Sequence, residues 1–385
     1  MAGGYGNVAG NDNGDVNDAE ATTVGGGHSN TASGDLSTVG GGYNNTASGQ
    51  YATVGGGDGN TSGDLSTVGG GYGNTASGDL STVGGGASNA SSGQHATVAA
   101  GQFNVASGLE ATVGGGASNT ASAADSTVGG GYGNTASGID ATVGGGYNNT
   151  AHGVSATIPG GNDNVALGLL SFAAGFRAKA NQAGCFVWGD STDADVACNT
   201  TNRWVARASG GVYFYTAAGL TTGVYVSAGG NSWNGVSDRA TKDNFVPADG
   251  RAILEKLASL PIQQYNLKSQ DPAIRHIGLV AQDFSTFGYG ESDKAINMQD
   301  ADGVDMAAIQ GLYAENHALK AEVESLQQQS AALDGRLTAL EQAAGGARQA
   351  QTTTRPPVPW LLAGGLVVAG GGALAGPRRR IGGGR

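Results

Sequence analysis

Charge, aromatic rings, proline and cysteine are all scarce in this 385-residue chain: 13% of residues are charged and 6% aromatic, with 8 Pro and 2 Cys. Each scarcity closes off a class. With so little bulk, one ordinary globular core spanning the full length cannot be built. The net charge of -12, with only 19 Lys and Arg, disfavours nucleic acid as a partner, because phosphate binding needs clustered basic side chains. Cys185 and Cys198 have no metal-ligand partners at suitable spacing, so no metal and no cofactor is implied. One disulfide and two buried thiols both remain open. An enzyme acting on an external polysaccharide would need paired carboxylates in a cleft, and the repeats offer only scattered Asp35, Asp64 and Asp79. A signal-peptide pattern is also missing: Met1 runs straight into AGGYGNVAGN, which leaves a true start upstream or a fragment as the two openings.

What the chain has instead is 72 glycines. They follow no strict every-third-residue period, which excludes collagen. They follow a longer period. One unit reads TVGGGYNNTASGQYA, from Thr38 to Ala52, and its apolar anchor recurs at Val24, Val39, Val54, Val68, Val83, Val98, Val113, Val128, Val143 and Ile158. The spacing is 15 except for one step of 14, between Val54 and Val68. An asparagine keeps step from Asn30 and Asn45 through to Asn164, and Ser or Ala stands two residues before each anchor from Val39 to Ile158, as at Ser37 and Ala52. A fixed period of this kind argues for stacked units rather than disorder.

Alternation within the unit predicts two short strands. Ala47 and Gly49 face inward on one, and Ala52, Val54 and Gly56 on the other. The Gly and Asn positions between them supply turns and left-handed backbone angles. Such coils stack as a parallel β-solenoid, with coil-to-coil hydrogen bonds satisfying the main chain. The inward side chains are small, so each coil buries little at about 25 cal/mol per Å², and association of several chains is expected to supply the rest. The NNTASGxxATVGGG units across roughly residues 20–176 resemble the head repeats of trimeric autotransporter adhesins, the YadA-like left-handed β-roll. That resemblance implies a trimeric surface fibre that binds a host or environmental matrix or glycan. A plain spacer is the alternative for these repeats. Tyr43, Tyr72, Tyr132 and Tyr147 are either an exposed aromatic row or turn residues packed on neighbouring coils, and the NNT sequons at Asn44 and Asn148 read as repeat residues.

Over residues 181–236 the repeat gives way to strand-like runs, GCFVWGD, RWVAR, GVYFY and GVYV, separated by Gly, Asn and Ser. This reads as a β-rich connector. Asp190, Asp193 and Asp195 suggest either a metal site or a solvated loop, and the loop is the plainer reading.

Beyond Ser237 the pattern changes to helical spacing. AILEKLASL, Ala252 to Leu260, stops before Pro261. Ile262 to Leu267 reads as a strand, and DGVDM, Asp302 to Met306, leads into a helix. Heptads follow, with Ile309, Asn316, Val323, Ser330 and Leu337 at one seam position and Leu312, Leu319, Leu326, Leu333 and Leu340 at the other. That is a parallel coiled coil; the heptads alone fit a dimer or a trimer, and the upstream repeats favour the trimer. The motifs SDRATKDNF, LPIQQYNL, RHIGLVAQDF and DADGVDMAAIQGL resemble, in order and spacing, the C-terminal intramolecular chaperone domain of phage endosialidases and tail spikes, also found in membrane-bound myelin regulatory factors. The resemblance implies a domain that trimerises, holds three chains in register while the upstream fibre folds, and then cuts itself off. The serine and lysine of its SDxxxK pattern fall on Ser237 and Lys242, as nucleophile and base. A lysine acts as base only when neutral, which burial or a nearby positive charge such as Arg239 promotes. By spacing alone Ser237 caps a turn and Lys242 is solvated. His276 is either a third participant or a structural hydrogen-bonding group.

After a linker at 346–359 comes an uncharged apolar run from Trp360, closed by Arg378, Arg379 and Arg380. It resembles bacterial C-terminal sorting tails; a Gly-rich tail is the other reading. Its length is at the low end for a membrane span, and the arginines place the C-terminus in the cytoplasm. The expectation is therefore a mainly β, trimeric fibre. Its parts are YadA-like β-roll repeats at 1–180, the connector at 181–236, a small α+β chaperone at 237–308, a coiled coil at 309–345 and a transmembrane or sorting tail at 360–377. The implied role is a bacterial cell-surface adhesin, or alternatively a phage tail fibre or an uncleaved stalk. At most it is a single-turnover serine self-peptidase. Its implied partners are two further copies of itself and, through the tail, a membrane.

Overall fold

The computed structural model describes residues 3–10 and 20–352. The chain forms two compact units, one ending at Lys242 and the other beginning at Asp243.

In the first unit each repeat makes one coil with two strands of two residues, such as Thr38–Val39 and Thr46–Ala47. Successive coils pair in parallel and in register, Val39 beside Val54 and Ala47 beside Ser62. The described strands build two parallel sheets of 13 and 14 strands. The architecture is thus a mainly β, parallel β-solenoid. Val24, Val39, Val54 and the equivalent residues to Ile158 stack as one buried file, and Ala32, Ala47, Ala76 and their equivalents as another. Strand alternation puts the intervening threonines outside. Ala47, Gly49, Ala52 and Val54 are buried as the alternation predicts, whereas Gly56 is half-exposed at a turn.

The recurring asparagine is not a turn residue. Asn30, Asn45, Asn60 and their equivalents to Asn164 are fully buried, and the left-handed backbone belongs to the residue before, as at Asn44 and Ser88. The asparagines form a ladder. Asn45 donates from its backbone N and from Nδ2 to Asn30 Oδ1, both at 3.1 Å, and from Nδ2 to Gly41 O and Gly57 O at 2.9 and 2.8 Å. Each rung satisfies one corner carbonyl, here Gly41 O, which burial would otherwise penalise, and adds a second bond to Gly57 O, which already accepts from Tyr43 N at 2.9 Å. The corner glycine has to be glycine: Gly42 has φ +100°, and a Cβ there would overlap the Gly57 carbonyl. Where the 14-residue step shortens a coil, Ser62 and Ser66 bond across the core at 2.8 Å.

The solenoid continues past the last recognisable repeat. Phe172–Phe176, Phe186–Gly189 and Trp204–Arg207 extend one sheet, and Ala178–Ala180 and Val196–Cys198 the other. Cys198 takes a place in the alanine file beside Ala180, and Cys185 follows Ser171 in the small-residue file. The two are bonded, with Cα atoms 6.1 Å apart, and join successive coils. An antiparallel sheet of β1 (Gly211–Tyr215), β2 (Gly223–Ser227) and β3 (Asn234–Gly235) ends the unit.

The second unit is built on α1 (Gly250–Ser259) packed against α3 (Met298–Thr352). Asp249 caps α1 by accepting from the Arg251 and Ala252 backbone amides, each at 3.1 Å, and the helix stops before Pro261. Gly250 meets Gly311 so closely that a Cβ on either would hit the other helix's backbone. A small core of Ile253, Phe284, Val304, Ala307 and Ala308 results, with α2 (Ala281–Phe284) contributing Phe284. A hairpin of β4 (Gln263–Tyr265) and β5 (His276–Gly278) stands beside it in sequence. The last helix begins at Met298, ahead of the DGVDM run, because Val304, Ala307 and Ala308 are needed to cover α1. Every apolar heptad residue from Ile309 to Leu340 is exposed in the single chain. Among the described residues no helix is long and apolar enough to cross a membrane. The segment 360–377 read as a tail anchor lies outside the described residues.

Candidate self-cleavage site

Strand β3 is the last element before Ser237. It pairs with Val224 and Tyr225 of β2, and Val236 N donates to Gly223 O at 2.9 Å. Trp233 leans on Phe214 with ring centroids 5.7 Å apart. The chain therefore reaches Ser237 in an extended, held conformation. It then turns. Asp238 is extended at φ -69°, ψ 137° and caps a 3-10 turn over Arg239–Thr241. Its Oδ1 accepts from Ala240 N at 2.9 Å, and its carbonyl accepts from Thr241 Oγ1 at 2.8 Å and Thr241 N at 3.2 Å. Lys242 N donates to Arg239 O at 3.1 Å to close the turn.

That turn brings the two sequence-predicted site residues together. Lys242 Nζ lies 2.5 Å from Ser237 Oγ. A hydroxyl is a weak nucleophile and needs a base within hydrogen-bond reach, and the geometry supplies one. What a single chain does not supply is dryness: Ser237, Arg239 and Lys242 are all exposed, and a lysine is driven to its neutral, basic form by removal from water. Within the second unit, His276 Nε2 lies 2.7 Å from Gln270 Oε1 and its ring stacks on Tyr265.

The three aspartates of the connector are tied to arginines. Arg177 pairs with Asp193 at 2.7 Å and Asp195 at 2.8 Å, and Arg207 with Asp190 at 2.8 Å. Asp190 Oδ2 also accepts from Ser209 N at 2.8 Å. The Ser209 amide first, and then Arg207, hold the Asp190 carboxyl far below the usual carboxylate range. Among the described residues no cluster of His, Cys, Asp or Glu could hold a metal ion. Arg177 and Arg207 were the signal that sequence reading passed over, because their partners lie 16 to 18 residues away, one coil on for Arg177 and one coil back for Arg207.

Tyr43, Tyr72, Tyr132 and Tyr147 are all exposed. Tyr132 stacks on Tyr147 at 5.4 Å, and Tyr5, His28 and Tyr43 form a second run of rings.

Residues 237–287 match the family model described as chaperone of endosialidase. The match opens on Ser237 itself. A comparison with curated proteins finds no match to the chain.

Proposed function

We propose that the chain is a homotrimeric surface fibre whose intramolecular chaperone aligns three copies, and that the chain then cuts itself beside Ser237. The contact between Lys242 Nζ and Ser237 Oγ at the first residue of the chaperone match carries this reading. In the step envisaged, Ser237 Oγ attacks the carbonyl carbon of a flanking peptide bond. Lys242 takes the hydroxyl proton and returns it to the departing amide nitrogen. One water then hydrolyses the ester, leaving a new carboxylate and a new amine. The chain is its own substrate, so orientation is provided without a binding pocket.

Two exposed apolar files support trimerisation. One is the heptad file of α3, where Leu312, Leu319, Leu326, Leu333 and Leu340 stand exposed in the single chain. The other runs along one corner of the solenoid. Leu36, Tyr51, Leu65 and Leu80 stand exposed there, one per coil; from Leu109 onward the apolar residue moves one position earlier, to Leu109, Ile139, Val154 and Leu169. The displaced position becomes polar at Glu110, Asp140 and Ser155 and is apolar again at Leu170. The file is interrupted at Gln94–His95 and at Ala124–Asp125; elsewhere an apolar side chain on each coil fits a partner with the same repeat. The Ser237–Lys242 pair is exposed in the single chain, and this reading has cleavage follow assembly, when neighbouring chains cover the lysine.

The adhesive role rests on the repeat resemblance and on the exposed tyrosine stacks, which are suited to a matrix or glycan surface. Anchoring rests on the apolar run at 360–377, with Arg378–Arg380 on the cytoplasmic side. The endosialidase chaperone match equally favours a phage tail fibre or spike, and membrane fractionation of the expressed chain separates the two. Mass spectrometry of purified protein tests cleavage. A product ending at or beginning next to Ser237 is expected, and it is lost in Ser237→Ala and Lys242→Met; an intact wild-type chain at all times refutes self-cleavage.

A further inference from the structure

Three candidates stand out beyond the paired side chains: the tyrosine face of the β1–β2–β3 sheet, the hollow beside Asp300, and the capped turn that connects Ser237 to Lys242. The turn carries the strongest case. A serine and a lysine five residues apart do not meet in extended chain, where each residue advances about 3.3 Å. They meet here because three consecutive residues fold into a 3-10 turn. Such a turn is short and intrinsically weak, with no buried residue to hold it.

What holds it is Asp238. Through Oδ1 it satisfies Ala240 N, and through its carbonyl it satisfies Thr241 N and Thr241 Oγ1. We infer that Asp238 is the positioning residue of the self-cleavage site: as N-cap of the Arg239–Thr241 turn it sets the Lys242 amine against the Ser237 hydroxyl, with Thr241 Oγ1 bracing the same turn. The inference rests on the self-cleavage reading for its consequence, and on the hydrogen bonds above for its geometry. The demand on residue 238 is for an acceptor oxygen at short reach, not for a charge. Asn therefore serves as well as Asp at a cap, and Ala does not.

The full-length chain tests this by the first-order cleavage rate of freshly synthesised precursor, followed by gel and mass spectrometry. Asp238→Ala is expected to slow cleavage about tenfold, the rate equivalent of a lost cap. Asp238→Asn is expected to stay within about threefold of the parent on the same grounds. Both variants should assemble and melt like the parent, since the turn is exposed and bears no core residue. A crystal structure of the Asp238→Ala precursor should show Lys242 Nζ withdrawn from Ser237 Oγ. Parent-like cleavage by Asp238→Ala, an Asp238→Asn variant as slow as Asp238→Ala, or an unchanged contact in that crystal structure each overturns the inference. If the parent never cleaves, the self-cleavage reading fails by itself, and the crystallographic distance still decides whether Asp238 positions the pair.

Discussion

The solenoid and the long helix spend their apolar residues in opposite ways. In the solenoid Val39, Val54 and Val68 are fully buried by the coils above and below. On α3, Leu319 is 57% exposed and Leu333 62%. A repeat that stacks on its own next copy closes its core within one chain, and only its ends and corners remain open. Beyond the turns of α3 that α1 covers, the heptad residues have no such stacking copy and stay exposed in the single chain. One chain thus carries a region whose apolar residues are buried internally and a region whose apolar residues stand exposed, with Ser237 between them in sequence.

The largest effect should come from breaking the second region. Replacing Leu319 and Leu326 with Asp should abolish the trimer, seen as a monomer in analytical ultracentrifugation, while far-ultraviolet dichroism of the solenoid persists. An unchanged trimer would mean that the seam is not the contact. Breaking the first region from within should come next. Asn119→Leu removes the bonds to Asn104 Oδ1, Gly115 O and Gly131 O and orphans Asn134 N. At roughly 1–3 kcal/mol per buried group left unsatisfied, a loss of about 3–5 kcal/mol is expected in denaturant unfolding of the solenoid, with the helical unit unaffected. Reducing the solenoid's terminal staple should cost somewhat less. The paired substitution of Cys185 and Cys198 by Ala should lower stability by about 3 kcal/mol, the usual worth of closing a loop of this size.

The smallest effect is confined to acid. Asp190 titrates far below its ordinary value when folded, so the unfolded chain binds its proton first as pH falls, and stability declines with it. The Tm advantage of wild type over Asp190→Asn, present at pH 7, should shrink as pH drops below about 4. A pH-independent difference would show that the carboxylate's bonds to Ser209 and Arg207 contribute nothing to folding.

Much of the solenoid was legible in sequence because its information is periodic. The valine file and the small residues opposite it repeat at coil spacing, and alternation then assigns their direction. The asparagines were equally periodic and were still misread. An asparagine among glycines looks like a turn former, and its burial becomes visible only when a second coil supplies the carbonyl that its side chain bonds. The cysteines could not be paired from spacing, since a separation of 13 residues becomes an adjacency only once successive coils stack. Helix α1 was placed to within two residues, whereas α3 began earlier than the heptads suggested, because its first turns are held by α1 rather than by their own periodicity. The contact between Ser237 and Lys242 was reachable through a motif resemblance, but the turn that makes it rests on bonds to Asp238, which spacing alone does not reveal.

The sequence by itself determined the coil length, the identity of the buried valine and alanine files, and the heptad seam, because each is a one-dimensional repeat that a single strand or helix expresses locally. Only the tertiary structure decided that asparagines line the core, that Cys185 meets Cys198, that Asp190 meets Arg207, and that Lys242 turns back onto Ser237. Each of these joins groups 5 to 17 residues apart, and such groups become neighbours only after the backbone has closed a turn or a coil.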